Sequence, residues 1–193
     1  MIKKVCFFGS YRELSGETKE EIVNLGKTCA EMGITVMSGG FGGTMKDVSQ
    51  GAKSAGGKTI GVTCYLWDRP WTKKANEFID EEIVAGSLSE RIDIMLKQAD
   101  AFVILPGGTG TLLELATALE YINKEVIEPK PIIIWGNFWS PVISCLKEEP
   151  VFSDKIKNDC KIAYCEELVT LASTTKEAIE KLSCQNAAEK THC

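Results

Sequence analysis

Apolar and polar positions along the chain alternate between short apolar runs and longer stretches with helical spacing. Lys3–Phe8 predicts a first strand, and residues 18–32 place Ile22, Leu25, Cys29 and Met32 on one face of a helix that Gly33 ends. Ile34–Met37 predicts a second strand that runs directly into Ser38-Gly39-Gly40-Phe41-Gly42-Gly43. Thr44–Ala55 then carries Met45, Val48, Ala52 and Ala55 on one helical face, and Lys58–Thr63 predicts a third strand. A Trp- and Pro-containing loop over 64–76 leads to a short apolar run at Ile83-Val84. Ser87-Leu-Ser-Glu90 has capping-box spacing ahead of a stripe of Leu88, Ile92, Met95, Leu96 and Ala99. Ala101–Leu105 is the most strand-like run, followed by Pro106-Gly-Gly-Thr-Gly-Thr111 and a helix predicted from Leu112 to about Asn123. Pro131–Trp135 predicts another strand, 138–147 a helix, and Ile162–Cys165 a last short strand. Thr174-x-x-Glu177 caps a closing helix expected to end at Leu182, with 183–193 expected to be disordered.

Strands alternating with helices of this length predict an α/β fold: a doubly wound, mostly parallel (Rossmann-like) sheet with helices on both faces, built as one domain over 1–182. In such a sheet ligands bind beyond the carboxyl ends of the strands, where the winding reverses. Two loops expected there are glycine-rich and open helices, Ser38–Gly43 and Gly107–Thr111. Glycine lets the backbone approach a ligand closely, so successive N–H groups can converge on a phosphate; ordinary tight turns are the plainer use of the same residues.

Composition narrows the chemistry. The chain of 193 residues has one histidine, His192, on the expected tail, which leaves little room for a Ser-His-Asp or Cys-His nucleophile or a His-ligated zinc. Twenty-two Lys+Arg against 27 Asp+Glu give a net charge of −5, so no broad basic face for nucleic acid is expected. No apolar run approaches the ~20 residues of a membrane span. The Met1-Ile-Lys-Lys start lacks a signal peptide's apolar core, so a cytoplasmic protein is expected. The 8 cysteines form no Cys-x-x-Cys pair, and several lie in apolar runs, as reduced and buried thiols do. Neither a metal nor a cofactor is expected.

The familiar nucleotide fingerprints are missing. Only Gly9-Ser10-Tyr11 follows the first strand where a dinucleotide motif would need Gly-x-Gly-x-x-Gly, and Gly43 is followed by Thr44-Met45 where a Walker motif needs Lys-Ser/Thr. A longer pattern resembles a different family. Ser38-Gly39-Gly40 with Gly43-Thr44-Met45, Arg91 ahead of Ala99-Asp100-Ala101-Phe102, and Pro106-Gly107-Gly108-Thr109-Gly110-Thr111-Leu112-Leu113-Glu114 resemble the motifs of the Lonely-guy (LOG) group. Characterised members of that group are nucleoside 5′-monophosphate phosphoribohydrolases. The resemblance covers most of residues 3–150 and implies a homodimer whose ligand is a nucleoside monophosphate. It also implies that Arg91 and Glu114 form the catalytic pair. The backbone and hydroxyls of Gly107, Gly108, Thr109, Gly110 and Thr111 would hold the 5′-phosphate, with Ser10, Ser38, Gly39 and Gly40 lining the same cleft.

Position in the helix gives Glu114 two uses. It can stabilise the oxocarbenium-like state of N-glycosidic hydrolysis while activating water, or it can simply complement the positive end of the 112–123 helix. Arg91 flanks an apolar stripe, which suits either a phosphate or ribose contact or a surface pair with Glu90 or Asp93. Cytokinin-activating members usually read Arg-Lys and Gly-Thr-x-Glu-Glu, whereas here Ile92 follows Arg91 and Leu113 stands at the first glutamate position. Related members carry molybdenum cofactor, so a non-catalytic nucleotide or molybdenum-cofactor carrier is the competing expectation. Trp67, Trp71, Trp135 and Trp139 are expected in core or interface packing more than in an exposed patch.

Overall fold

Short runs rich in Val, Ile and Phe become the central strands of a parallel sheet because both of their faces can be buried, while its two edge strands stay partly exposed. The computed structural model describes residues 1–65, 74–153, 156 and 163–188. Its strands are β1 (Lys4–Phe8), β2 (Thr35–Ser38), β3 (Thr59–Cys64), β4 (Glu81–Ala85), β5 (Ala101–Ile104), β6 (Ile132–Trp135) and β7 (Val169–Ala172). They pair in parallel in the order β4-β3-β2-β1-β5-β6-β7. The helices are α1 (Gly16–Glu31), α2 (Thr44–Ser54), α3 (Leu88–Gln98), α4 (Thr109–Asn123), α5 (Ser140–Ser144) and α6 (Thr175–Ala188).

Alternation along each strand builds two cores. Cys6, Phe8, Met37, Val62, Phe102 and Ile104 face α3, α4 and α5. Val5, Phe7, Val36, Val103 and Ile133 face α1, α2 and α6. On the second face α1 and α2 cross closely. A Cβ at Gly26 would lie 2.0 Å from the Val48 carbonyl oxygen and one at Gly51 would lie 1.8 Å from that of Val23, so glycine is required where the backbones meet. This crossing fixes α2, whose amino end opens at the crevice.

The doubly wound α/β sheet agrees with the sequence expectation, and five boundaries differ from it. The helix expected from Leu112 begins at Thr109, inside the glycine loop. The segment 138–147 forms only Ser140–Ser144, followed by turns at Cys145 and Leu146. Of the strand expected at Ile162–Cys165, Ile162 lies outside the described residues, Tyr164 makes one antiparallel bridge to Pro150, and Cys165–Leu168 is a 3-10 turn. The strand that joins the sheet is instead β7, an edge strand with Leu171 exposed and therefore no continuous apolar run to mark it. The closing helix continues past Leu182 to Ala188.

Trp135 and Trp139 are buried in the two cores; Trp67, Trp71, Cys160, Cys193 and His192 lie outside the described residues. Among the described residues the six cysteines are free, and no helix is long and apolar enough to cross a membrane.

Candidate active site

The winding reverses between β1 and β5, because the chain leaves β1 toward β2 and leaves β5 toward β6. Such a reversal opens a crevice at the carboxyl ends of the two strands. β1 ends in Gly9-Ser10, β5 ends in Leu105–Gly108, and neighbouring β2 ends in Ser38–Gly43, so both glycine loops and the amino ends of α2 and α4 meet there.

Starting α4 at Thr109 changes the place of Glu114. It now lies in the second helical turn, on the buried side with Thr111, Leu115, Ala118 and Ile122, while Leu112 and Leu113 are exposed. The first turn contains no acidic residue. Because a helix dipole acts on charges within its first turn, Glu114 is not a dipole complement. Its carboxylate is instead turned inward, with 5% of the residue exposed.

Arg91 meets it there. The residue sits in the first half of α3, whose start is set by Ser87: its hydroxyl accepts from Glu90 N–H at 3.0 Å. The expected capping box closes differently, since the Glu90 carboxylate accepts from Gly86 N–H at 2.7 Å. Glu90 and Asp93 are thereby occupied elsewhere, Asp93 by Tyr121 and Lys97. The Arg91 guanidinium turns inward: Nε donates to Val62 O at 2.7 Å, Nη2 to Gly39 O at 3.1 Å and Nη1 to Glu114 Oε1 at 3.3 Å. The Phe41 ring centroid lies 5.7 Å from its Cζ. Burial drives the Glu114 carboxyl up from 4.5 to about 7, with the Arg91 charge opposing part of the rise. A carboxyl that titrates near neutrality beside a fixed cation suits proton transfer or stabilisation of a developing positive charge.

The residues of the Gly107–Thr111 loop, expected to hold a phosphate, divide by exposure. Gly108, Thr109 and Gly110 are exposed and Gly107 is half-buried. The N–H groups at the start of α4 have no acceptor within the helix and are available to an anion. The hydroxyl of Thr111 is the exception, buried against Gly107 and without a hydrogen-bond partner among the described residues. Ser10 is tied on three atoms: its N–H donates to Thr44 Oγ1 at 2.9 Å, its carbonyl accepts from Thr44 N–H at 2.9 Å, and its Oγ accepts from Arg12 N–H at 3.0 Å. Ser38 is fully buried and its Oγ accepts from Gly40 N–H at 3.2 Å. Gly39 contributes its carbonyl to Arg91, and Gly40 contributes its carbonyl to Asn76. Ser38 is thus enclosed in the crevice wall, while half-buried Ser10 keeps a hydroxyl proton to donate.

Three contributors were not among the expected site residues. Trp139 Nε1 donates to Leu105 O at 2.9 Å and holds the start of the Gly107–Thr111 loop. Thr44 ties the end of β1 to α2, and Asn76 holds the Ser38–Gly43 loop. Only the Gly-x-Met spacing around Thr44 could have drawn attention to any of them. Among the described residues no group of three or more His, Cys, Asp or Glu side chains could hold a metal ion.

This geometry has relatives. Residues 3–168 match the SLOG cluster4 family. A cytokinin riboside 5′-monophosphate phosphoribohydrolase from Mycobacterium tuberculosis is 36% identical over 128 residues, 63% of this chain and 66% of that protein. A probable cytokinin riboside 5′-monophosphate phosphoribohydrolase from Oryza sativa subsp. japonica is 30% identical over 188 residues, 93% of this chain and 72% of that protein. Among solved structures, a molybdenum cofactor carrier protein from Chlamydomonas reinhardtii superposes with a TM-score of 0.70 at 24% identity, covering 97% of this chain and 99% of that one, and shares the fold. With its motifs, its buried Arg91–Glu114 pair and these matches, the chain belongs to the SLOG cluster4 family and to the Lonely-guy group its sequence resembles.

Proposed function

We propose that the protein hydrolyses the N-glycosidic bond of a nucleoside 5′-monophosphate with a purine or cytokinin-like base, giving free base and ribose 5-phosphate. The observation that carries this is the buried Arg91–Glu114 pair, with its carboxyl titrating near neutrality, set beside unpaired helix N–H groups in the switch-point crevice. The N–H groups at the start of α4 hold the 5′-phosphate. The C1′–N bond breaks as the ribose takes on positive charge, which the Glu114 carboxylate stabilises. The same carboxylate takes a proton from the water whose oxygen bonds to C1′, and the electron pair of the broken bond leaves with the base, which gains a proton. Arg91 binds no substrate in this scheme; it holds Glu114 in place and restrains its rise in pKa. The relatives named for cytokinin riboside monophosphates support this substrate class.

The protein acts as a homodimer, and Leu112 and Leu113, exposed beside the site on α4, are apolar surface that a second copy would cover. Incubation with AMP and adenine-modified analogues, with Glu114→Ala as the control, tests the activity. Base released by the unmodified protein alone is the expected result; no release from any nucleotide at high enzyme concentration overturns it.

A second function is favoured by Leu113, which offers an exposed apolar side chain where the cytokinin-activating pattern has a glutamate. It is a carrier that cradles a nucleotide or molybdopterin-type ligand with the same loops and releases it unchanged. A ligand that co-purifies at stoichiometry and leaves intact would support it.

A further inference from the structure

Asn76 lies between β3 and β4, on neither glycine loop, yet both of its donor groups, the backbone N–H and Nδ2, serve the Ser38–Gly43 loop. Its backbone N–H donates to Gly40 O at 2.8 Å. Its Nδ2 donates to Gly40 O at 3.1 Å and to Phe41 O at 2.9 Å, while its Oδ1 accepts from Phe78 N–H at 3.0 Å. Gly40 and Phe41 are buried, so these two carbonyls depend on donors within the protein.

The loop that Asn76 clamps is the one on which Arg91 is braced. Two of the guanidinium donors, Nε and Nη2, are fixed on the carbonyls of Val62 and Gly39. Because the group is a rigid plane, two fixed donors determine where the third edge points. That third edge carries Nη1, which meets Glu114. The fit is tight on the other sides as well: a Cβ at Gly39 would lie 1.8 Å from Nη2, and one at Gly40 would lie 3.1 Å from the Gly61 Cα.

We infer that Asn76 is a positioning residue for the Arg91–Glu114 pair, acting through the Gly39–Phe41 loop. By clamping the Gly40 and Phe41 carbonyls it keeps the Gly39 carbonyl under Arg91 Nη2, and so keeps Nη1 directed at Glu114. If the clamp is released, the guanidinium turns about its remaining bond to Val62. The charged group against Glu114 is Arg91 from α3, and the other titratable side chain its charge reaches is the buried Cys6 thiol of β1, held neutral by burial. A displaced Arg91 leaves the effect of burial on Glu114 with less to oppose it.

The test separates the clamp from the local turn. In Asn76→Ser the shorter side chain can still accept from Phe78 N–H, as Ser does in turns, but cannot reach both carbonyls. Asn76→Ala removes both side-chain functions, and in either variant the backbone N–H still donates to Gly40 O. The Glu114 carboxyl is followed in ligand-free protein by 13C NMR titration, with its resonance identified by its loss in Glu114→Gln. Both Asn76 variants are expected to raise the midpoint by about half a pH unit or more. The importance of Arg91 and Glu114 to turnover rests on the proposed hydrolysis. Within it, kcat for AMP falls about tenfold with little change in KM, because the reacting carboxyl is misplaced while the phosphate cradle is not. An unchanged Glu114 midpoint in Asn76→Ser overturns the inference, and should Asn76→Ala fail to fold, Asn76→Ser decides alone. If unmodified protein releases no base from AMP, the proposed reaction fails while the ligand-free titration still decides the role of Asn76.

Discussion

Arg91 and Glu114 stand 23 residues apart in sequence and meet at 3.3 Å between Nη1 and Oε1, in a part of the crevice where both side chains are almost wholly buried. Neither is placed by its own helix alone. Arg91 needs the carbonyls of β3 and of the Ser38–Gly43 loop, and Glu114 needs α4 to begin inside the Gly107–Thr111 loop. An ion pair in such a place is weak evidence for stability, since desolvation offsets attraction, so its value is better sought in reactivity.

Replacing Glu114 with glutamine keeps the size and a hydrogen-bond acceptor for Arg91 while removing the charge and the base. Base release from AMP is expected to fall at least about a hundredfold, the usual scale for losing a positioned acid-base group. The far-UV circular dichroism should match that of the unmodified protein. Activity retained by Glu114→Gln would remove this carboxylate from the mechanism.

The pH dependence follows from the same group. Water activation needs the ionised carboxylate, so kcat for AMP should rise with pH through about 7 and level off above it. Stability runs the other way. Between pH 4.5 and about 7 the unfolded chain has lost the Glu114 proton while the folded chain keeps it, so this group's contribution is fully present below 4.5 and is lost as pH rises through about 7. Thermal melts of the unmodified protein and Glu114→Gln across this range should differ in slope, with the decline in Tm shallower in the variant.

Two glycines distinguish protein contacts from ligand contacts. A methyl at Gly39 would fall on Arg91 Nη2, so Gly39→Ala should cost about tenfold or more in kcat through displacement of the guanidinium. A methyl at Gly110 meets nothing within 4 Å. Gly110→Ala should leave Tm unchanged or slightly raised, worth up to about 1 kcal/mol of helix propensity. A several-fold rise in KM for AMP in that variant would then report a collision with the phosphate itself. Unchanged KM in Gly110→Ala would move the phosphate away from α4.

Lys130 offers a purely structural comparison. Its Nζ donates to the carbonyls of Leu96, Lys97 and Ala99 at 2.7, 3.2 and 2.6 Å, closing the carboxyl end of the helix that carries Arg91. Lys130→Met should lower unfolding stability by about 2 kcal/mol, the scale of a charged hydrogen bond, with an unchanged urea m-value. A neutral result would mean that water replaces the lysine at no cost.

Much of this was legible in the chain before any coordinates. β1, β2, β3, β5 and β6 stand out because strands buried on both faces are mostly apolar runs, and the switch-point loops stand out because two glycine-rich segments each join a strand to a helix. β7 was hidden because an edge strand buries too little to leave a run, and the start of α4 was hidden because glycine and threonine read as loop even when helical. Burial of Ser38 and the tying of Ser10 to Thr44 could not be foreseen, since a serine beside a glycine looks the same whether it faces a ligand or holds a turn.

The amino-acid sequence by itself determined the α/β architecture, the two glycine loops, and the pairing of an arginine and a glutamate with a family motif. Local periodicity and local backbone freedom carry the first two, and the resemblance of the motifs to the Lonely-guy group carries the third. Tertiary structure alone decided that Glu114 is buried with a carboxyl near neutrality, and that Arg91 is braced by Val62 and Gly39 while Asn76 holds their loop in place. Desolvation and hydrogen-bond direction depend on which distant backbone atoms arrive beside a side chain. The strand order β4-β3-β2-β1-β5-β6-β7 settles that arrival, and no local pattern encodes it.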